Sequence, residues 1–550
     1  MTTHGRTPTL SLLLLIAACA PPAPEAPAPE APLTFAQVVD SVVSSPPVDR
    51  THWGIEVYDP GADSVLYALN AHRHFVPASN TKLTVTAVAL GELGPDWRYR
   101  TPLYAIMAPD ADSVAERLVL VGRGDPTFSE RFHDTEFAVA DSLADSVAVA
   151  GIRRVDGPLV IDASYFEDVL FYPGWNVGSR GWYYAAPVSG AGVSEGAVPF
   201  VLRPGTAPGE PVRLQVLGPE GGVVFVDSIV TDTVGARRDL DYERAFDSDT
   251  VYISGTIPLD AEIDTSWVAV QDPARYLGLG LGEALEANGI EVGETDVVSD
   301  TIRARAILPV TADRDCGPRT CMPIERCRVE PFPRVEPADT VCVTLPDPRG
   351  LDAWPDTVDL DDGRIAVRVA TWSSAPMSEI VAGILKPSQN WMAETLLKTL
   401  GARFEGEGTW DGGVRAEYHY LFGEAGIDSA AVYLRDGSGL TAYNLLTPHA
   451  VTTLLAHALR QPWGAVYREA MAIPTEEGTL ERRLEDLEGR VAAKTGTIRH
   501  VNALSGYLIA DDGRTLIFSV LTNGSGIGSS AVRAAIDRVV QAMTSIRSRS

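Results

Sequence analysis

The sequence predicts an α/β (α+β) fold in which both ends of the chain contribute helix and antiparallel strands to one domain, while the middle is inserted. Three observations carry this. The start reads helix, strand, turn, strand, helix; the end reads three strands and a closing helix; and the stretch between, about residues 99 to 371, is richer in strands and turns. A chain of 550 residues, at roughly 100–200 residues per domain, holds about three folding units. Hydrophobic residues make up 45% and charged residues 21%, enough apolar material for real cores. The net charge of −28 excludes a nucleic-acid partner, which needs clustered Lys and Arg, and electrostatic docking to an anionic membrane.

Taken in order, Arg6 precedes an apolar run, Leu12 to Ala18, that ends at Cys19. The run is too short to span a bilayer and suits the apolar region of a signal peptide. Leu15-Ile16-Ala17-Ala18-Cys19 resembles a bacterial lipobox, so residues 1–19 read as a lipoprotein signal peptide with Cys19 as lipidation site. An ordinary signal peptide with a nearby cysteine is the alternative. Residues 20–33, mostly Pro, Ala and Glu, read as an extended tether. Phe35, Val38, Val39 and Val42 recur at helical spacing. Trp53 to Asp59 and Ser64 to Leu69 read as strands around a Pro60-Gly61 turn. Leu83 to Leu93 is apolar enough for a buried helix. Near the end, Val491 to Ala493, Val501 to Ala510 and Thr515 to Asn523 read as strands, the last two joined at Asp512-Gly513, and Ala531 to Ile546 as an amphipathic helix. Cys316, Cys321, Cys327 and Cys342 form an even cluster that suggests disulfides with three possible pairings; zinc is the alternative, but Cys-x-x-Cys pairs and a nearby histidine are missing.

Three short motifs carry chemistry. In Ser79-Asn80-Thr81-Lys82, helical spacing lets the lysine amine approach the serine hydroxyl. Serine needs a base to take its proton, and a lysine serves if burial depresses its pKa. Lys494-Thr495-Gly496-Thr497 follows the apolar strand residues Val491-Ala492-Ala493; its glycine lets a ligand approach, and its lysine and threonines can hold a carboxylate. Ser388-Gln389-Asn390 precedes a helix read over Trp391 to Leu400; the serine can relay a proton and the asparagine can orient a lysine or an amide. Each alone has a plain structural explanation, a helix cap or a strand end. Together, in this order, they resemble the Ser-x-x-Lys, Ser-Asp-Asn, Lys-Thr-Gly signature of penicillin-binding proteins and class A β-lactamases. The nine histidines form no metal-binding pattern, so neither metal nor cofactor is expected.

The resemblance is wider than the three motifs. The chain resembles the class C low-molecular-mass penicillin-binding proteins, the D-alanyl-D-alanine carboxypeptidase/endopeptidase family (peptidase family S13). It does so at Pro77 to Lys82, Leu120 to Pro126, Tyr184 to Ser189, Ser388 to Glu394, Asp436-Gly437-Ser438-Gly439-Leu440, Gly478-Thr479-Leu480 and Ala493 to Thr497. Gln389 departs from the aspartate frequent there. Asp313 to Pro348, with the four cysteines, has no counterpart in that pattern. Asp436 to Gly439 is not Gly-x-Ser-x-Gly and reads as a loop near the site.

The resemblance implies a penicillin-recognising serine-enzyme (β-lactamase/transpeptidase-like) domain, an antiparallel sheet between helices, from residues 34–98 and 372–550. It implies two inserted mainly β domains, one from 99–190 and 265–371, the other from 191–264. It implies Ser79 as nucleophile, Lys82 as base, Ser388 as proton relay and Asn390 as orienting residue. Lys494 and Thr495 would hold a terminal carboxylate beside Gly496, with Ser79 and Thr497 N–H groups as oxyanion hole and Tyr184 bordering the cleft. The expected partners are peptidoglycan stem peptides and, as covalent inhibitors, β-lactams. The expected place is the periplasm of a bacterial cell envelope, held to a membrane by the lipid anchor alone. A β-lactamase and a non-catalytic envelope scaffold are the alternatives; the long insertion weighs against the first and the intact motifs against the second.

Overall fold

The computed structural model describes residues 1–2, 33–109, 112–245, 248–263, 265–299, 301–308, 323–329, 340–346 and 354–546. Cys19, Cys316 and Cys321 lie outside them.

A five-stranded antiparallel sheet joins the two ends of the chain, in the order Ser64–Leu69, His52–Asp59, Thr515–Asn523, Val501–Ile509, Val491–Ile498. His52 pairs with Asn523 and Tyr58 with Ile517, so the first strand of the chain lies against its last strand. Local chemistry sets the turns. The Asp59 carboxylate accepts from the Gly61 and Ala62 N–H groups, and Gly513 takes φ +84° in the Asp512-Gly513 turn. On one face, Phe35–Val43 and Ser529–Met543 bury Val39, Val42, Ile536 and Val540 with Ile55, Leu504, Phe518 and Val520 of the sheet. Thr34 starts the first of these helices with a capping box to Gln37. On the other face lies an apolar cluster built from the Lys82–Glu92, Met377–Leu385, Asn390–Leu400, Trp410–Gly423 and Pro448–Leu459 helices. The sheet therefore lies between helices.

The Val491–Ile498 strand runs further than its apolar start at Val491 to Ala493 suggested. Lys494, Thr495 and Gly496 pair with Ser505, Leu504 and Ala503, because the neighbouring strand completes their ladder whatever their propensity.

The middle of the chain forms a path of six strands, Thr295–Val298, Leu159–Asp162, Val114–Val121, Arg100–Met107, Ile365–Ser373 and Thr357–Asp359, accompanied by the Ala138–Val149 and Pro273–Ala287 helices. Two three-stranded sheets lie beyond it. One is Asp239–Arg244, Thr250–Pro258, Val224–Asp232; the other is Thr265–Ala269, Ala197–Arg203, Arg213–Val216. Pairing of Thr265 with Val201 and Ala269 with Ala197 ties Thr265–Ala269 to the strands of the second insertion.

The inserted region fastens onto the start of the Asn390–Leu400 helix at three consecutive residues. Gln389 Nε2 donates to the Glu195 carboxylate, Asn390 Nδ2 donates to the Tyr184 carbonyl (2.7 Å), and the Trp391 indole donates to the Pro187 carbonyl (2.9 Å). Gln389 also caps this helix, its Oε1 accepting from Met392 N (3.1 Å). An amide can accept at the cap and donate to Glu195 at once; a carboxylate can only accept. Gln389→Asp keeps the cap but sets two carboxylates against each other. The expected result is a loss of about 1–3 kcal/mol in denaturant unfolding, the range for a buried polar contact to a charged group. A variant as stable as the parent would contradict this reading of the clamp.

Candidate active site

The site is assembled where segments from the start and the end of the chain meet. Residues 78–81 form a 3₁₀ turn, and the α-helix begins at Lys82 itself. Ala78 enters this turn at φ +47°, in the left-handed region. The turn places Ser79 one helical turn before Lys82, and Lys82 Nζ lies 3.0 Å from Ser79 Oγ.

Lys82 is fully buried and has two further partners: Asn390 Oδ1 at 2.6 Å and the Ser438 carbonyl at 2.7 Å. Because the Asn390 amide nitrogen is engaged by Tyr184, its oxygen is the atom that faces the lysine. Burial pushes Lys82 down from 10.5 to about 7, while the Glu394 and Asp436 carboxylates oppose the shift. Ser388 sits at φ +68°, also in the left-handed region, directly before the Asn390–Leu400 helix. Held backbone strain of this kind costs about 1–3 kcal/mol and gathers at functional sites.

The Lys494 strand closes on the nucleophile. Asn80 Nδ2 donates to the Lys494 carbonyl (2.9 Å), which ties the first motif to the third. A Cβ on Gly496 would lie 2.8 Å from the Pro77 carbonyl and 3.1 Å from the Ser79 nitrogen, so this close approach requires glycine. Thr495 Oγ1 lies 2.8 Å from Thr479 Oγ1, and the Thr497 hydroxyl is 3.5 Å from Asn502 Oδ1. Lys494 is buried, its Nζ donating to the Thr495 carbonyl (3.0 Å). Desolvation, and then the Lys82 ammonium, push its pKa well below 10.5; an anion bound beside it would push it back up.

The three sequence motifs are thus brought together, with Lys82 bonded directly to members of the first two. Tyr184 reaches the site through its backbone carbonyl, while its ring stacks on Trp182 at 6.1 Å. The sequence reading placed Asp436 to Gly439 near the site without a role. Here the Ser438 carbonyl is a direct partner of Lys82, and every residue type carries a carbonyl, so no side-chain pattern could mark it. Asn80 and Thr479 were named only as parts of longer segments.

Known proteins resemble this chain over nearly its whole length. The chain is 31% identical to a D-alanyl-D-alanine carboxypeptidase of an Actinomadura species, over 96% of this chain and 88% of that protein. It is 22% identical to penicillin-sensitive carboxypeptidase A of Dictyostelium discoideum, over 90% and 87% of the two chains. Among solved structures, penicillin binding protein 4 from Haemophilus influenzae has the same fold, with a TM-score of 0.70 at 19% identity over 92% of this chain and 98% of that one. Residues 35–311 and 353–546 match one family along nearly the whole described chain. With three short motifs gathered around one buried lysine, the chain belongs to the D-Ala-D-Ala carboxypeptidase 3 (S13) family.

Proposed function

We propose that this serine-type D-Ala-D-Ala carboxypeptidase/endopeptidase acts on peptidoglycan stem peptides in the bacterial cell envelope through an acyl-enzyme on Ser79. One observation carries the assignment of roles: the three partners of Lys82. A neutral amine has two hydrogens and one lone pair. Asn390 Oδ1 and the Ser438 carbonyl are acceptors only, so they take the two hydrogens and leave the lone pair facing the Ser79 hydroxyl. Lys82 then removes the Ser79 proton as Oγ attacks the carbonyl of the penultimate D-alanine. The Ser79 and Thr497 N–H groups would receive the oxyanion, each such donor typically worth about 10²–10³ in rate. Lys494 and Thr495 hold the terminal carboxylate, with Gly496 letting the peptide lie close. Ser388 passes the proton to the leaving amine, the C–N bond breaks, and water hydrolyses the ester.

The proposed division is a catalytic domain from 34–98 and 372–550, with one inserted domain from 99–190 and 270–371 and the other from 191–269, five residues more than the 191–264 read from the sequence. The pairing of Thr265–Ala269 with Ala197–Arg203 supports moving that strand into the second insertion. Residues 1–19 and 20–33 are proposed as lipoprotein signal and tether, placing the enzyme in the periplasm. No helix among the described residues is long and apolar enough to cross a membrane. Cys316, Cys321, Cys327 and Cys342 are proposed to form two disulfides. Cys327 and Cys342 are opposite each other in the Pro323–Val329/Thr340–Pro346 ladder, a register whose Cα spacing of about 4.5–5.5 Å suits a disulfide.

A β-lactam offers a strained carbonyl and a carboxylate in the same arrangement. Intact-mass spectrometry is expected to show one penicillin per chain, mapped to Ser79, and none on Ser79→Ala. Labelling elsewhere, or rapid penicillin turnover without an adduct, would sink the proposal. The acylation rate should rise with pH through about 7, because the base is the unprotonated form of a lysine whose pKa is lowered to that value. Below it the rate should fall about tenfold per pH unit. A limb near the ordinary lysine value would reject Lys82 as described. Lipidation predicts that Cys19→Ala leaves the membrane fraction; retention there argues against it. Thiol titration of the denatured, unreduced protein should find none of the four clustered cysteines free, and four free thiols would exclude the disulfides.

A further inference from the structure

The Asn390–Leu400 helix reaches Lys82 twice. Asn390 touches the amine directly. One turn further along the same face, Glu394 reaches it through the 436–444 loop. Glu394 is fully buried. Its Oε1 accepts from Ser438 N at 2.7 Å; its Oε2 accepts from Gly437 N at 3.0 Å and from the Trp410 indole at 2.9 Å. The next peptide unit, which carries the Ser438 carbonyl itself, is held by Asp436, which accepts from Gly439 N (2.8 Å) and also from Thr441 N (2.8 Å), Trp175 Nε1 (2.9 Å) and Asn444 Nδ2 (2.6 Å). The N–H groups on both sides of the Ser438 carbonyl are therefore fixed, and that fixes where the carbonyl points. The loop also lies hard against the nucleophile's turn: Gly439 has φ +79°, and a Cβ there would sit 1.9 Å from the Ala78 carbonyl.

We propose that Glu394 is a positioning residue for acylation: by holding the Gly437 and Ser438 N–H groups it aims the Ser438 carbonyl at Lys82 and so keeps the lysine's lone pair on Ser79. This rests on Lys82 being the base. Glu394 meets only donors, three N–H groups and the Ser438 hydroxyl, so an amide of the same shape would turn an N–H toward a backbone N–H. Burying that many donors around anything but a carboxylate leaves at least one unpaired.

Charge adds a second consequence. Lys82 is faced by Glu394 from its helix, by Asp436 from the loop and by Lys494 from the strand; the two carboxylates favour its charged form and Lys494 does not. Behind them, Glu417 accepts from Thr84 Oγ1 (2.6 Å), and Lys398 lies further along Glu394's own helix. Burial raises the Glu417, Glu394 and Asp436 carboxyls and lowers Lys398. Removing the Glu394 charge takes away one of the two influences that hold Lys82 up, so Lys82 should deprotonate at lower pH.

The test is pre-steady-state penicillin acylation across pH for the parent, Glu394→Gln, Glu394→Asp, Lys82→Ala and the Lys82→Ala/Glu394→Gln double variant, with thermal unfolding measured on each. Glu394→Gln is expected to lose about 10²-fold on the plateau, the scale of a misplaced catalytic group, and to move the acid limb to lower pH. Glu394→Asp keeps the charge but shortens the reach, so it should lose rate with its limb unmoved. In the Lys82→Ala background Glu394→Gln should change the residual rate little, because the residue acts through the lysine. A folded Glu394→Gln with the parent's plateau and limb overturns the inference. So does an equal loss in the Lys82→Ala background, which would assign Glu394 to general support of the fold. If Glu394→Gln does not fold, Glu394→Asp decides, and full activity there overturns the proposal. Full acylation by Lys82→Ala would instead overturn the base assignment itself, so the two failures are told apart.

Discussion

The site depends on a lysine taken entirely out of water. Lys82 is 0% exposed, and burial lowers its pKa from 10.5 to about 7. At 1.36 kcal/mol per unit, that shift disfavours the charged form by about 5 kcal/mol. The lowered value is what makes an amine usable as a base near neutral pH. A buried amine must also have each of its positions matched, and its three partners come from residues 79, 390 and 438. The fold has to bring those segments to one point and hold them there.

The scaffold supplies this in layers. The sheet pairs the first strands with the last three, so the Ser79 turn is pressed against the Lys494 strand and Asn80 bonds to it. The Asn390–Leu400 helix sits in the apolar cluster, with Met392, Ala393, Leu396 and Leu397 buried. Its polar anchors are buried as well. Lys398 donates to the Val169 carbonyl at 2.8 Å and lies 3.5 Å from the centre of the Trp410 ring. Trp410 in turn donates to Glu394, so one indole serves both a buried lysine and the carboxylate behind the 436–444 loop. With Gln389, Asn390 and Trp391 tied to residues 184–195, the insertion steadies this helix rather than simply decorating the domain.

The buried carboxylates show a balance that a simple ion-pair picture misses. Glu394 and Asp436 help Lys82 keep a proton, whereas desolvation removes it, and the second effect is the larger. Full pairing with a close carboxylate would favour the ammonium and spoil the base. Here the carboxylates are occupied by backbone and indole N–H groups and act on the lysine through a carbonyl. Neutral acceptors in direct contact and charges one step behind give an amine that is held in place without being held charged.

The sequence by itself determined the elements and the chemistry that depend on nearby residues. The Ser79–Lys82 spacing, the strands around Asp512-Gly513, the strands that both ends of the chain give to one sheet and the three motifs were all legible, because side-chain type and short-range periodicity encode them. Lys494 to Gly496 as part of a strand was not, since its ladder is completed by Ser505, Leu504 and Ala503 from elsewhere. Nor was the clamp of Gln389 to Glu195, 194 residues apart. Above all, the sequence could not show that Ser438 matters through its carbonyl, or that Glu394 and Asp436 hold that carbonyl in place. Backbone groups are common to every residue, and their direction is set by hydrogen bonds between distant segments. Only the tertiary structure decides which of them a buried amine meets.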